Sequence, residues 1–342
     1  MHAIHDSAGL WTLAWRRLWA DRLAMAALAV VAAFLLLLAA SATGIVAADW
    51  EDEVAVNYAP PAFAAAPAMP AAPGAAVGGA TAPGAPPANE FDPLAEDLRE
   101  LRATLGQAVA EPTAARAPSL PFGADKWGHD IIKKTIKGGE TSIVVGLAAA
   151  ALAVGLGTLF GAFSGFYGGM VDDFFNWFYN VFTSIPSILM ILTVAAVLQQ
   201  KGVLTIILIL GLTGWTGPYR LIRAEYIKHK AREYVMAADA IGASAWRKMF
   251  SHIFPNVSHV ALVQVSILVV GFIKAEVILS FLGFGVPVGV VSWGSMLNEA
   301  QNELILGKWW QLTAAASAMA LLVTAFSLFA DALRDALDPK VK

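Results

Sequence analysis

A chain of 342 residues is long enough for two soluble domains, but 58% of it is hydrophobic, only 14% is charged, and the mean hydropathy is +0.62. That is too little charge to cover a water-exposed surface, so the composition reads as an integral membrane protein. No cysteine is present, which excludes disulfide scaffolds, cysteine-ligated metals and thiol nucleophiles, and a net charge of −3 without a Lys/Arg block gives no footing for nucleic acid.

In chain order, residues 1–22 form a short N-terminal segment, expected to be cytoplasmic, containing Arg16, Arg17 and Arg22, followed by an apolar run, Leu23–Ala48. A signal-peptide core is the alternative, with Ala39-Ala40-Ser41-Ala42 as a faint cleavage site, but such cores are about 7–15 residues and this run is longer. Five further stretches approach the roughly 20 residues a bilayer needs: Ser142–Tyr167, Phe174–Leu198, Val203–Tyr219, Val257–Leu282 and Trp310–Ala330. The expected architecture is therefore all-α with six transmembrane helices. Arginines before the first span and Asp49, Glu51, Asp52 and Glu53 after it place the N-terminus in the cytoplasm. The basic segment 220–256 and the tail 331–342 then fall on the same side. Lys126, Lys133, Lys134 and Lys137, just before the second span, run against that rule.

The segment 49–141 is expected to be a long extracytoplasmic loop. Residues 54–89 are nearly all Ala, Pro, Gly and Val, which predicts a flexible spacer, and Leu94, Leu98, Leu101 and Leu105 predict a short amphipathic helix over 93–105.

Within the core 142–330, Gly157, Gly161, Gly165 and Gly169 recur every four residues, a face on which another backbone can approach closely, either as a fixed seam or as a sliding surface. Asn176, Asn180, Thr183 and Ser187 are spaced 4, 3 and 4, placing them on one face toward a neighbouring helix or an aqueous path, with Pro186 expected to kink the helix. Lys274 and Glu276 are two residues apart and point to different faces. Glu276 is a candidate for a partner helix or the path, and Lys274 for snorkelling to the surface.

No HExxH, GxSxG or Walker A motif is present, so a membrane-embedded enzyme lacks its constellation and ATP hydrolysis would need another polypeptide. The most specific segment runs from Glu233 and Tyr234 through Ala237 and Ala238 to Gly242, Ala243 and Ser244, and on to His252-Ile253-Phe254-Pro255. It predicts a helix, a break at Gly242, a second helix capped by Ser244, and membrane re-entry at Pro255. Ala237 and Ala238 offer a bare surface to a partner.

This segment resembles the cytoplasmic EAA coupling loop of ABC importer permeases. Met236-Ala237-Ala238, three residues, Gly242, nine residues, then His252-Ile253-Phe254-Pro255 keeps the family spacing, with Met236 and His252 departing from it. Three other stretches are similar to the C-type permease of the dipeptide, oligopeptide and nickel branch: Pro121-Phe122-Gly123-Ala124-Asp125 with Gly128-His129-Asp130; Glu276 with Ser280–Gly285 and Ser292–Met296; and Asp331–Pro339.

The resemblance implies a type I importer permease fold in a bacterial inner membrane. It also implies a second homologous permease, two ABC ATPases carrying ATP and Mg, and a periplasmic substrate-binding protein, with no cofactor, catalytic residue or metal on this chain. On that resemblance, Glu233, Tyr234, Ala237, Ala238, Gly242, Ala243, Ser244 and Pro255 form the coupling loop, and peptides or peptide-like solutes are the cargo. A secondary transporter or channel working alone is the competing reading, and it gives no reason for the loop's spacing.

Overall fold

The computed structural model describes residues 10–64 and 116–337. The chain divides into two compact units, Met1–Glu51 with Ile131–Lys342, and Asp52–Asp130.

Every secondary-structure element among the larger unit's described residues is a helix. Helix α1 (Leu10–Ala20) is separated from α2 (Arg22–Ala42) by Asp21, whose carboxylate caps α2 by accepting from the Leu23 and Ala24 N–H groups at 2.9 and 3.2 Å. Next come α3 (Ile131–Tyr167), α4 (Gly169–Thr183), α5 (Ser187–Leu198), α6 (Val203–Thr213), α7 (Thr216–Lys230) and α8 (Glu233–Ala240). The long α9 (Ala245–Phe281), then α10 (Trp293–Ile305) and α11 (Trp310–Leu337), complete the unit. Helices α2, α3, α9 and α11 are each long and apolar enough to cross a membrane; the pairs α4/α5 and α6/α7 are bent by 82° and 42°, giving six crossings if each pair is one span.

Several boundaries differ from those read in the sequence. The third predicted span is two helices broken at Ser184–Pro186, because Pro186 has no N–H to donate and takes an extended ψ of 129°. The second begins eleven residues early, at Ile131, and the sixth runs on to Leu337, where Leu333 and Leu337 pack with Leu18 of α1. Pro255 marks no break: α9 is continuous through it. A π turn over Lys248–Ile253, with Phe254 N–H reaching back to Met249 O, lies just ahead of the proline and accommodates its missing donor.

Helix α3 is the axis of the unit. At Gly157, Gly161 and Gly165 the backbone of α7 lies against it. An added Cβ at Gly157 would sit 2.7 Å from Trp215 O, at Gly161 2.9 Å from both Arg223 N and Tyr219 O, and at Gly165 2.7 Å from Arg223 O. Nothing there can move aside without the helix, because the atoms in the way are backbone or Cβ. Gly169 is not part of this seam; it starts α4 with φ +50° and open space around it. Gly146 seats α9 mainly through a side chain, with Ile273 Cγ1 2.5 Å and Val269 O 3.2 Å from its would-be Cβ.

In the smaller unit, residues 54–64 belong to an ordered assembly and not to a spacer. Ala55 and Ala59 are fully buried with Ala124, and Ala55 N–H donates to Gly128 O, Tyr58 N–H to Asp125 O and Ala62 N–H to Leu120 O. Gly128, at φ +90°, has Ala55 O only 2.1 Å from where a Cβ would be. The buried Asp125 carboxylate accepts from the Trp127 and His129 N–H groups and meets His129 Nδ1 at 2.9 Å. His129 thus supports a turn. The rest of the predicted spacer and the helix over 93–105 lie outside the described residues.

Gly161→Ala is expected to lower the thermal midpoint of detergent-purified protein, overpacking of this kind costing about 1–3 kcal/mol. Gly155→Ala, on the same helix where a Cβ meets nothing within 4 Å, is expected to leave it unchanged or raise it slightly. Fluorescence-detected size exclusion after a heating series checks both signs.

Candidate functional site

The helix–turn–helix between α7 and α9 is built as its residues dictate. Helix α8 ends in a Schellman turn: Gly242 N–H donates to Asp239 O at 2.9 Å and Ala243 N–H to Ala238 O at 3.0 Å, with Gly242 at φ +78°. Ser244 caps the next helix, its hydroxyl accepting from Arg247 N–H at 3.3 Å. Lys248 bonds to Asp239 across the turn, closing the two arms.

The two faces of this hairpin differ. Val235 and Ala238 point inward, at 4% and 5% exposure, while Tyr234, Met236, Ala237, Ile241 and Trp246 point out, Ile241 at 85%. Ala238 is thus part of the hairpin's floor, and the sequence reading that paired it with Ala237 as bare surface holds for Ala237 alone. Ile241 and Trp246 were not singled out in the sequence; a large apolar side chain beside a turn glycine was the available signal.

Beneath the floor, Val235, Met249, Ile253 and Val257 join Ala162 and Phe166 of α3 and Ile222 and Tyr226 of α7 in one apolar cluster. Tyr226 is fully buried, packs over Gly165, and donates its hydroxyl to Met249 O in the π turn at 3.2 Å. Tyr234 OH meets His229 Nδ1 at 2.8 Å, tying α8 to α7. Burial pushes the Tyr234 phenol up from its ordinary value against the pull of Asn256 and Arg232, so it acts as a neutral hydrogen-bonding group. Glu233 is exposed at the start of α8 and Pro255 is exposed on α9. The hairpin therefore rests on the same two helices that the glycine seam joins.

A polar knot at that seam escaped the sequence reading. Arg223 of α7 grips Asp172 of α4 with both arms, Nε to Oδ1 at 2.6 Å and Nη2 to Oδ2 at 2.5 Å. Ser164 of α3 bonds to the same carboxylate and meets Tyr219 OH at 3.0 Å. The sequence treats Arg223 only as a topology charge; its partner 51 residues upstream is brought near by the bend at Gly168-Gly169. Phe178 and Phe182 of α4 pack on Trp215 and complete the attachment.

The proposed path residues are not one stripe. Asn176 donates to its own helix at Asp172 O (2.8 Å), Thr183 to Tyr179 O (3.0 Å), and Asn180 is exposed, while Ser187 lies beyond the 82° bend on α5. Glu276 is fully buried: Ser142 and Ser280 hydroxyls donate to its carboxylate at 2.6 and 2.7 Å, and Trp293 N–H donates to Ser142 at 3.3 Å. Trp293 itself fills the notch left by Gly139 and donates Nε1–H to Thr135 O. Glu276 is the centre of a hydroxyl cage joining α3, α9 and α10.

Three of the four lysines that run against the charge rule have a carboxylate: Lys133 with Asp49 at 2.5 Å, Lys134 with Glu299 at 2.7 Å, and Lys137 with Glu140 at 2.7 Å, while Lys126 lies over the Trp127 ring. The hydrogen bond from Lys133 holds the Asp49 carboxyl below its usual value. Of the three ion pairs, the first two join separate segments, and the third lies within α3. Among the described residues, no group of three His, Asp or Glu side chains is placed to hold a metal.

Arg223→Lys keeps the charge but loses the two-pronged fork. It is expected to destabilise the protein nearly as much as Arg223→Met, by about 1–2 kcal/mol for a partly exposed charge-assisted pair, and so to lower the thermal midpoint. A wild-type midpoint in the lysine variant would show that charge alone suffices.

Residues 157–342 match the family described as "Binding-protein-dependent transport system inner membrane component". Residues 9–61 match "N-terminal TM domain of oligopeptide transport permease C". Over 221 residues the chain is 37% identical to the oligopeptide transport system permease protein OppC of Bacillus subtilis (strain 168), covering 65% of this chain and 72% of that protein. The dipeptide transport system permease protein DppC of the same organism is 35% identical over 221 residues, 65% and 69% of the two chains. OppC of Haemophilus influenzae is 34% identical over 219 residues, 64% and 70%.

Proposed function

We infer function from membership: this chain belongs to the family of binding-protein-dependent transport system inner membrane components, and it is an ABC importer permease of the inner membrane. On that premise we propose that it carries peptides or peptide-like solutes inward, driven by ATP hydrolysis on partner ATPases that bind the ATP and Mg. A second, homologous permease completes the pore and a periplasmic protein delivers the solute. The named relatives are oligopeptide and dipeptide permeases, which supports this class of cargo.

The observation that carries the mechanism is the two-faced hairpin. Its exposed crest, with Met236, Ala237, Ile241 and Trp246, is the surface an ATPase groove would grip. Its floor is packed onto α3 and α7, which the glycine seam holds together. A push on the crest thus reaches the spanning helices through close-packed side chains and the Tyr226 hydrogen bond, with little compliance to absorb it. The charge rule supports a cytoplasmic side for the basic hairpin and both termini.

Gly242→Val should strain the turn through its positive φ without a clash, since nothing lies within 4 Å of the added Cβ. The expected outcome is normal membrane insertion with ATP-driven uptake reduced at least about tenfold while ATP hydrolysis by the complex continues. Wild-type uptake in this variant would remove the coupling role. Ile241→Asp should separate the chain from ATPases that otherwise co-purify with it, and a chain that moves solute with no ATPase present would instead be a secondary transporter.

A further inference from the structure

One face of α9 is only partly covered by the other described residues. Gln264, Ile267, Gly271, Lys274 and Ile278 follow one another at spacings of three and four, so they share a side of the helix. All five are half-buried or exposed, whereas Val269, Ile273 and Val277 on the other side are buried in the main core. A methyl group added at Gly271 would meet nothing within 4 Å, leaving room beside Lys274.

Lys274 makes no hydrogen bond or ion pair among the described residues, and Glu276, two residues on, is enclosed on another face by Ser142 and Ser280. Lys274 stands seven residues before the end of α9, roughly 10 Å along the axis, still within the spanning segment. A lipid-facing stripe has no use for Gln and Lys, whose burial in hydrocarbon is costly.

The stripe leads into a groove of about 910 Å³ between α7, α9 and α11, which Gln264 and Ile267 also line. Lys228, Arg232 and Arg334 outnumber Glu225 among the fixed charges there. Gln264 and Ile267 thus belong to both the stripe and the basic groove, and Gly271 and Lys274 lie further along the same face. The occupant with matching chemistry is a solute bearing a carboxylate. Every unblocked peptide carries one at its C-terminus at neutral pH, whatever its sequence.

We propose that Lys274 is a specificity-determining residue of the transport route, its ammonium pairing with the C-terminal carboxylate of a peptide that passes along the α9 stripe into the basic groove. This rests on the peptide-import reading above. The test uses the whole transporter, reconstituted with its ATPases, second permease and binding protein, and compares uptake of a labelled neutral tripeptide with that of its C-terminal amide. Any preference of the binding protein cancels in the ratio of the two rates, taken in wild type and in Lys274→Met.

The expected result is a threefold to tenfold drop in acid uptake relative to amide uptake in Lys274→Met, the size of one partly desolvated charge pair, with recovery in Lys274→Arg. Equal loss of both substrates, failure of the variant complex to assemble, or no change in the ratio would overturn the assignment. So would an effect that follows the anionic-lipid content of the vesicles, which would assign Lys274 to a headgroup. Uptake of neither peptide by the wild-type complex would count against peptide import itself.

Discussion

The backbone of α7 lies directly on the backbone of α3 at three glycines, and the rest of the larger unit is arranged around that contact. Membrane helices gain little from hiding apolar side chains from one another, since lipid is as apolar as they are, so close backbone approach and satisfied polar groups decide which helices stay together. Gly157, Gly161 and Gly165 supply the approach. Arg223, Asp172, Ser164 and Tyr219 supply the polar closure, and they add α4 to the pair. The Tyr226 ring then covers Gly165 and hands the contact on to the π turn of α9. A hairpin standing on this ground has little freedom to shift by itself.

The other end of the unit is held by different chemistry. Glu276 sits among hydroxyls, Trp293 fills the space above Gly139, and the Ser292–Ser295 capping box starts α10 at the same place. Lys134, Glu299 and Gln311 bind α3, α10 and α11 together nearby. Motifs that look functional in a permease sequence, the Glu276 segment and the Ser-Trp-Gly-Ser-Met stretch, are here the fastening of α10 to the bundle. Buried ionic groups of this kind fix geometry more dependably than they add stability.

Much of this could be read from sequence because it follows from local rules. Apolar runs gave the spans, glycine periodicity the seam, and Gly242 and Ser244 the shape of the hairpin. What escaped was whatever depends on chain segments far apart meeting. Asp172 and Arg223 are 51 residues apart, and Lys134 and Glu299 165 apart, so each reads as an isolated charge until the fold is known. The polar stripe from Asn176 to Ser187 failed for the opposite reason: its spacing was helical, but Pro186 breaks the helix, and Asn176 and Thr183 satisfy themselves on their own backbone. Ala55 and Ala59 read as spacer because nothing in an alanine announces that another backbone will press against it.

The central claim is that the hairpin and the α3–α7 pair move as one body when the ATPases act. This chain has no cysteine, so paired spin labels can be introduced on it without background of its own. In the assembled transporter, with and without trapped nucleotide, distances should be measured from position 241 to exposed Leu159 on α3 and to exposed Leu328 on α11. The account predicts an unchanged distance to Leu159 and a shifted distance to Leu328; a hairpin that moves relative to Leu159 while α3 and α11 keep their places would contradict it.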